Sequence, residues 1–168
     1  MKKIGIFYGS STGTTQKVAQ KIGVKLNVNP DDIHDVSTTS PSALGEYEVL
    51  LFGSSTWGAG ELQRDWIDFT AALKSLNLEG KKVAVFGCGR ERMANTFCNA
   101  VGILYDIAKE TGAELFGEFN SDGYTFKKSK AMIENNTLMK GLVLDQDNHP
   151  ELTDKKITQW CEIISSVI

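Results

Sequence analysis

Only two histidines, three prolines and three cysteines occur in the 168 residues. His34 and His149 lie far apart in the sequence, and Cys88, Cys98 and Cys161 form no CxxC pair. These spacings exclude a Cys/His zinc site and a dithiol redox motif. An odd number of scattered cysteines points to reduced thiols in a cytoplasmic setting rather than a disulfide frame. No apolar run approaches the roughly 20 residues of a membrane helix. The opening "MKKIGIFYGSS" has two lysines before a run too short for a secretory signal, and the residues after it read as a folded unit. A formal net charge of -3 gives no reason to expect a nucleic-acid partner. Ser-His-Asp sets, paired carboxylates and internal repeats are also missing, so substrate turnover by side chains is not expected.

What the sequence does contain is an alternation of strand-like and helical segments from end to end. "KIGIFYG" (3–9), "DIHDVS" (32–37), "EVLLFGSS" (48–55) and "KKVAVFGCG" (81–89) read as strands. Three of these are continuous apolar runs, as expected of strands covered on both faces. "ELFGEF" (114–119) and "GLVLD" (141–145) are two further short runs. Apolar residues three or four apart predict helices over 14–26, 61–76, 95–113 and 152–168, with Leu62, Trp66, Phe69 and Leu73 along the second stripe. Thr153 is the expected N-cap of the last helix. The order βαβαβ predicts one 168-residue α/β domain with a doubly wound parallel sheet. Residues 120–140 are too long for an ordinary connection and read as an insertion.

The densest signal is "GSSTGTT" (9–15), at the join between the first strand and the first helix. In a doubly wound sheet that is where ligands bind, and a helix N-terminus there favours an anion. The glycine spacing excludes the triphosphate loop GxxxxGK[ST], and Thr14 stands where its lysine would be. GxGxxG fails as well, because Arg92 occupies the third glycine position after Gly87 and Gly89. Hydroxyls and N–H groups without a cation suit a single phosphate monoester. A second strand end carries Trp57, outside any helical stripe, where an indole could stack on a flat ligand.

Four segments in this order resemble the flavodoxin family over nearly the whole chain: "GSSTGTT" (9–15), "STWGAGELQRDW" (55–66), "SDGYTFKKSKA" (121–131) and "GLVLDQDN" (141–148). The resemblance implies an open five-stranded sheet of order 2-1-3-4-5, and flavodoxin is itself a standard illustration of that order with FMN at its switch point. It also implies the long-chain subgroup, in which an insertion splits the last strand. FMN would be held without a covalent bond. Its phosphate would be wrapped by Ser10, Ser11, Thr12, Gly13, Thr14 and Thr15. The ring would lie among Ser54, Ser55, Thr56, Trp57, Gly58, Ala59 and Gly60, with Trp57 stacked on one face. Asp147 would lie on the ribityl side. Gly58 would allow the peptide flip that stabilises a neutral semiquinone.

The third loop departs from the family pattern. In place of G-x-G-D-Q and a tyrosine stands Gly87-Cys88-Gly89-Arg90-Glu91-Arg92-Met93-Ala94, with Phe97 as the first aromatic. Cys88, Gly89, Arg90, Met93 and Phe97 are the ring contacts expected here. The second flavin face would be covered by Met93 or left more open, and Arg90 would place a cation near the ring. The implied role is a monomeric low-potential carrier between a flavodoxin/ferredoxin reductase and acceptors of the ferredoxin-dependent type. A quinone or NAD(P)H reductase on the same fold is the rival reading, and a non-redox phospho-ligand module the next.

Overall fold

A computed structural model describes residues 2–133 and 137–168. Five lanes of parallel sheet form its centre. β1 (Ile4–Gly9) pairs with β2 (Ile33–Asp35) on one side and β3 (Val49–Trp57) on the other. β4 (Glu61–Leu62) is a short antiparallel return on β3. β5 (Lys82–Cys88) pairs with β3 and with the divided last lane, so the lanes run in the order 2-1-3-4-5.

The last lane is made of two pieces. β6 (Glu114–Leu115) pairs with Lys82 and Val83, and β9 (Leu142–Leu144) pairs with Phe86, Gly87 and Cys88. Between them lies the insertion, with a small antiparallel ladder of β7 (Phe119–Asn120) and β8 (Leu138–Met139). Residues 134–136 of the expected 120–140 segment lie outside the described residues.

Strand periodicity divides the core. Ile6, Leu51 and Phe86 face α1 (Thr14–Lys25) and α4 (Pro150–Val167), where they meet Val18, Ile22 and Trp160. Phe7, Phe52 and Val85 point the other way, toward α2 (Asp65–Leu73) and α3 (Asn99–Glu110), and meet Trp66, Phe69 and Leu104. Successive strand side chains alternate faces, so uniformly apolar strands require helices on both. Trp66 and Trp160 are fully buried, and each indole donates to a glycine carbonyl, that of Gly53 and of Gly117.

Three predicted helix starts move. Leu62 belongs to β4, because Gly58 and Gly60 adopt φ of +52° and +99° and let the chain fold back on β3 before α2 begins. The third helix starts at Asn99, not near 95, and the preceding turn ends on Cys98 at φ +49°. Its Ala100 N–H is capped from a distant strand by Thr56 Oγ1 at 3.0 Å. The last helix starts at Pro150, a favoured first position. Thr153 is therefore inside it, buried, and not its N-cap.

Candidate functional site

The carboxyl ends of β1, β3, β5 and β9 open onto one cleft of about 250 Å³. Sites that engulf a small ligand are larger, about 300–1,000 Å³. A flat ligand here would keep an edge in solvent.

One end of the cleft is the loop at 10–15. α1 has no side-chain cap and no acidic residue in its first turn, so its leading N–H groups face outward with the positive end of the helix dipole. Thr12 and Thr14 line the cleft, their hydroxyls 3.5 Å apart. Ser10 Oγ accepts the Gly13 N–H at 3.1 Å, and Ser11 Oγ accepts from Gln63 Nε2 at 3.0 Å. Thr15 is fully buried, yet its Oγ1 lacks a conventional hydrogen-bond partner and has only the Cys88 thiol beside it. A buried hydroxyl left in that state loses about 1–3 kcal/mol. An anion seated against the helix end would supply the missing acceptor.

The second wall is the β3–β4 hairpin. Ser55, Thr56, Trp57 and Gly58 line the cleft. Trp57 is the last residue of β3 rather than a residue after it, and its indole N–H donates to Ser55 Oγ at 2.9 Å while 42% of the residue stays exposed. Ser54, expected among the ligand contacts, is instead buried and spoken for: its Oγ donates to the Ser55 carbonyl and accepts the Gln63 N–H. Gly60 is buried against Asn99 and Thr96, and Ala59 is exposed beyond the lining.

The floor and third wall come from the loop after β5. Cys88, Gly89, Arg90 and Met93 line the cleft, as do Thr96 and Gln146, two residues not expected among the ligand contacts. Burial pushes the Cys88 thiol up to about 12, and Cys98 is also raised by burial, so neither offers a thiolate nucleophile near neutrality. Phe97 is a correction. It is fully buried on the α3 side, 5.5 Å from the Tyr124 ring and 4.8 Å from that of Phe126, so it cannot reach a ligand in the cleft. Arg90, expected as a cation near the ring, lines the cleft and is paired there: its Nε donates to Asp147 Oδ2 at 2.8 Å.

Behind this wall, Asp145 is fully buried and accepts from the Glu91 and Asn148 N–H groups. Glu91 accepts the Thr125 N–H and contacts His149 Nε2 at 2.6 Å. The Thr125 N–H, then the His149 bond, lowers the Glu91 pKa. The Glu91 and Glu151 bonds raise that of His149. His34 serves the core edge, with its Nε2 2.6 Å from Tyr47 Oη and its ring on Phe7.

Sequence and structure comparisons agree with this geometry. The flavodoxin family model matches residues 6–160. The flavodoxin of Buchnera aphidicola (Acyrthosiphon pisum) is 42% identical over 165 residues, covering 98% of this chain and 96% of its own. Escherichia coli flavodoxin 1 is 40% identical over 162 residues, covering 96% and 92%. The crystal structure of Fusobacterium nucleatum flavodoxin bound to flavin mononucleotide superposes with a TM-score of 0.88 at 30% identity, covering 99% of this chain and 98% of that one. With a family match over most of its length and relatives near 40% identity, the chain belongs to the flavodoxin family.

Proposed function

We propose that this chain, as a single domain over 1–168, is a low-potential one-electron carrier that binds FMN non-covalently. One observation carries the reading: a buried Thr15 hydroxyl with no oxygen or nitrogen partner and only the Cys88 thiol beside it, at the uncapped end of α1, in a loop without lysine or arginine. That donor set fits a phosphate monoester, whose charge is met by many neutral hydrogen bonds and the helix dipole.

Each wall then has a task. Ser10, Ser11, Thr12, Thr14 and Thr15, with the N–H groups around Gly13, hold the phosphate. Trp57 stacks on one ring face, and Thr56 and Gly58 border the ring. Met93, half exposed across the cleft, packs its thioether on the other face. Cys88 and Gly89 form the floor, and Asp147 with its partner Arg90 borders the ribityl side. FMN, when bound, supplies the one-electron chemistry, while the protein sets its position and electrostatics. A shallow cleft leaves the ring edge open to a protein partner. A reductase of the flavodoxin/ferredoxin type as donor, ferredoxin-dependent enzymes as acceptors and a cytoplasmic setting complete the reading. Among the described residues no helix is long and apolar enough to cross a membrane.

The test is flavin uptake by the purified apoprotein, followed by fluorescence quenching. The chain should bind FMN with one-to-one stoichiometry and turn yellow. Stacking on an aromatic is worth about 1–3 kcal/mol, so Trp57→Ala should weaken FMN and riboflavin alike by about five- to a hundredfold. A chain that takes up no FMN overturns the reading. Steady NAD(P)H oxidation by the FMN-loaded chain alone would favour the reductase reading instead.

A further inference from the structure

Gln63 lies just after β4, 1% exposed, between the hydroxyl loop and the hairpin. Asp65 grips its amide on both sides. Gln63 Oε1 accepts the Asp65 N–H at 2.9 Å, and Nε2 donates to Asp65 Oδ2 at 2.8 Å. Turning the amide over would set nitrogen against N–H and oxygen against carboxylate, so its orientation is fixed by its partners. The second Nε2 hydrogen reaches Ser11 Oγ at 3.0 Å. Ser11 must therefore accept this bond, and its single hydrogen is left for some other acceptor. Ser10 is in the same condition, because its Oγ accepts the Gly13 N–H.

The support behind Gln63 is rigid. Its own N–H donates to buried Ser54 Oγ at 3.1 Å. Its amide oxygen lies so close to Gly9, at the end of β1, that a Cβ there would overlap it. One buried amide thus links the loop at 10–15 to the hairpin that carries Trp57.

We propose that Gln63 is a positioning residue that sets hydrogen-bond polarity in the 10–15 loop, turning the Ser11 hydroxyl into a donor committed to an anionic phosphate ester. The inference rests on the FMN reading and deepens it. A phosphate dianion only accepts, so a hydroxyl free to rotate can present a lone pair to it, and one held by Gln63 cannot. The consequence is discrimination for the phosphorylated ligand over the same ring and ribityl chain without phosphate.

The experiment compares FMN and riboflavin affinities at pH 8 for wild type, Gln63→Glu, Ser11→Ala and the double variant. Beside Asp65 a glutamic acid at 63 shares a proton with that carboxylate and turns only lone pairs toward Ser11, so the Ser11 hydrogen turns toward it and away from the phosphate. Hydrogen bonds to charged groups are worth about 1.5–3 kcal/mol, or roughly ten- to a hundredfold in affinity. Gln63→Glu should weaken FMN by about that factor and leave riboflavin within about twofold. In the Ser11→Ala background the same change should cost less than about threefold, the sign of coupling through one hydroxyl. Gln63→Met, which keeps the volume and removes the donor, should weaken FMN in the same direction and covers the case in which the acidic variant does not fold. Equal weakening of both flavins would overturn the proposal in favour of a packing role. A full loss persisting in the Ser11→Ala background would overturn it in favour of charge repulsion. A wild-type chain that binds FMN no more tightly than riboflavin would remove the carrier reading itself, and the proposal with it.

Discussion

The two ends of the cleft are held by different kinds of bond. Around 10–15, a buried amide clamped by Asp65, three serines and a threonine are tied mostly by neutral hydrogen bonds or left waiting for one. Around 89–98, the Arg90–Asp147 and His149–Glu91 pairs sit at the surface and tie the loop to the chain after β9. Desolvation governs the first end, so its energetics should respond less to salt than the second and sharply to loss of a single oxygen. Screening and titration govern the second, where an exposed pair such as Arg90–Asp147 is worth about 0–1 kcal/mol. A site divided in this way can grip its ligand at one end and leave the other open to adjustment.

Thr15→Val offers the largest expected contrast. Valine matches threonine in shape and removes the buried hydroxyl that has no conventional partner. The apoprotein should become more stable by about 1 kcal/mol, raising Tm by about 2–4 °C. FMN affinity should fall by about ten- to a hundredfold with one donor to the phosphate gone, and riboflavin affinity should stay nearly unchanged. Calorimetry and flavin titration together check both signs. An apoprotein that loses stability would mean that Thr15 is already satisfied in the protein, and the grip at this end would need another explanation.

Legibility in the sequence divides along the same line. The lanes of the sheet, the hydroxyl loop and the exposed indole can be read because each rests on a local pattern: a continuous apolar run, a cluster of small hydroxylic residues, an aromatic off the helical stripe. Helix starts are less readable. The cap of α3 is Thr56, 44 residues away from Ala100, and no window along the sequence contains both. Phe97 reads toward the ligand as the first aromatic after the glycines, but tertiary packing on Tyr124 and Phe126 takes it into the core. Gln63 is silent, because a lone glutamine has no signature until Asp65 and Ser11 close around it. Arg90 is visible as a charge, and its partner 57 residues later is not.

That partner changes the expected effect of Arg90 on the flavin. A unit charge roughly 10 Å away in a medium of effective dielectric about 20 is worth about 1.7 kcal/mol, on the order of 70 mV for one electron. The ion pair presents opposite charges 2.8 Å apart at their nearest atoms, so most of this cancels. Arg90→Gln uncovers the Asp147 carboxylate and should make the more negative one-electron potential of bound FMN more negative, by tens of millivolts. Asp147→Asn should move it the other way, and the double variant should return it near the wild-type value. Added salt should shrink both single shifts, as the side chains are about half exposed. Spectroelectrochemistry at two ionic strengths measures all of this. Equal shifts of one sign from both single variants would show that the pair acts by shape rather than charge.

The smallest effect expected is in the pH dependence of stability behind the same loop. His149 faces Glu91 and Glu151, with the Tyr124 ring against it and its own N–H on the Asp145 carbonyl. Its pKa is raised in the fold, so its contribution is whole below the unfolded value of about 6.5 and is lost as pH rises through the raised one. Glu91 is lowered, so its contribution is whole above about 4.3 and is lost as pH falls through the lowered value. The pair therefore stabilises the loop in a window bounded by the lowered Glu91 and the raised His149. His149→Gln should lower Tm more at pH 6 than at pH 9, and Glu91→Gln should remove most of that difference. Thermal melts of the FMN-free protein in matched salt would reveal it. A Tm deficit that is the same at both pH values would mean that His149 holds the loop as a neutral hydrogen-bond donor, and the 89–98 wall would then resemble the 10–15 wall after all.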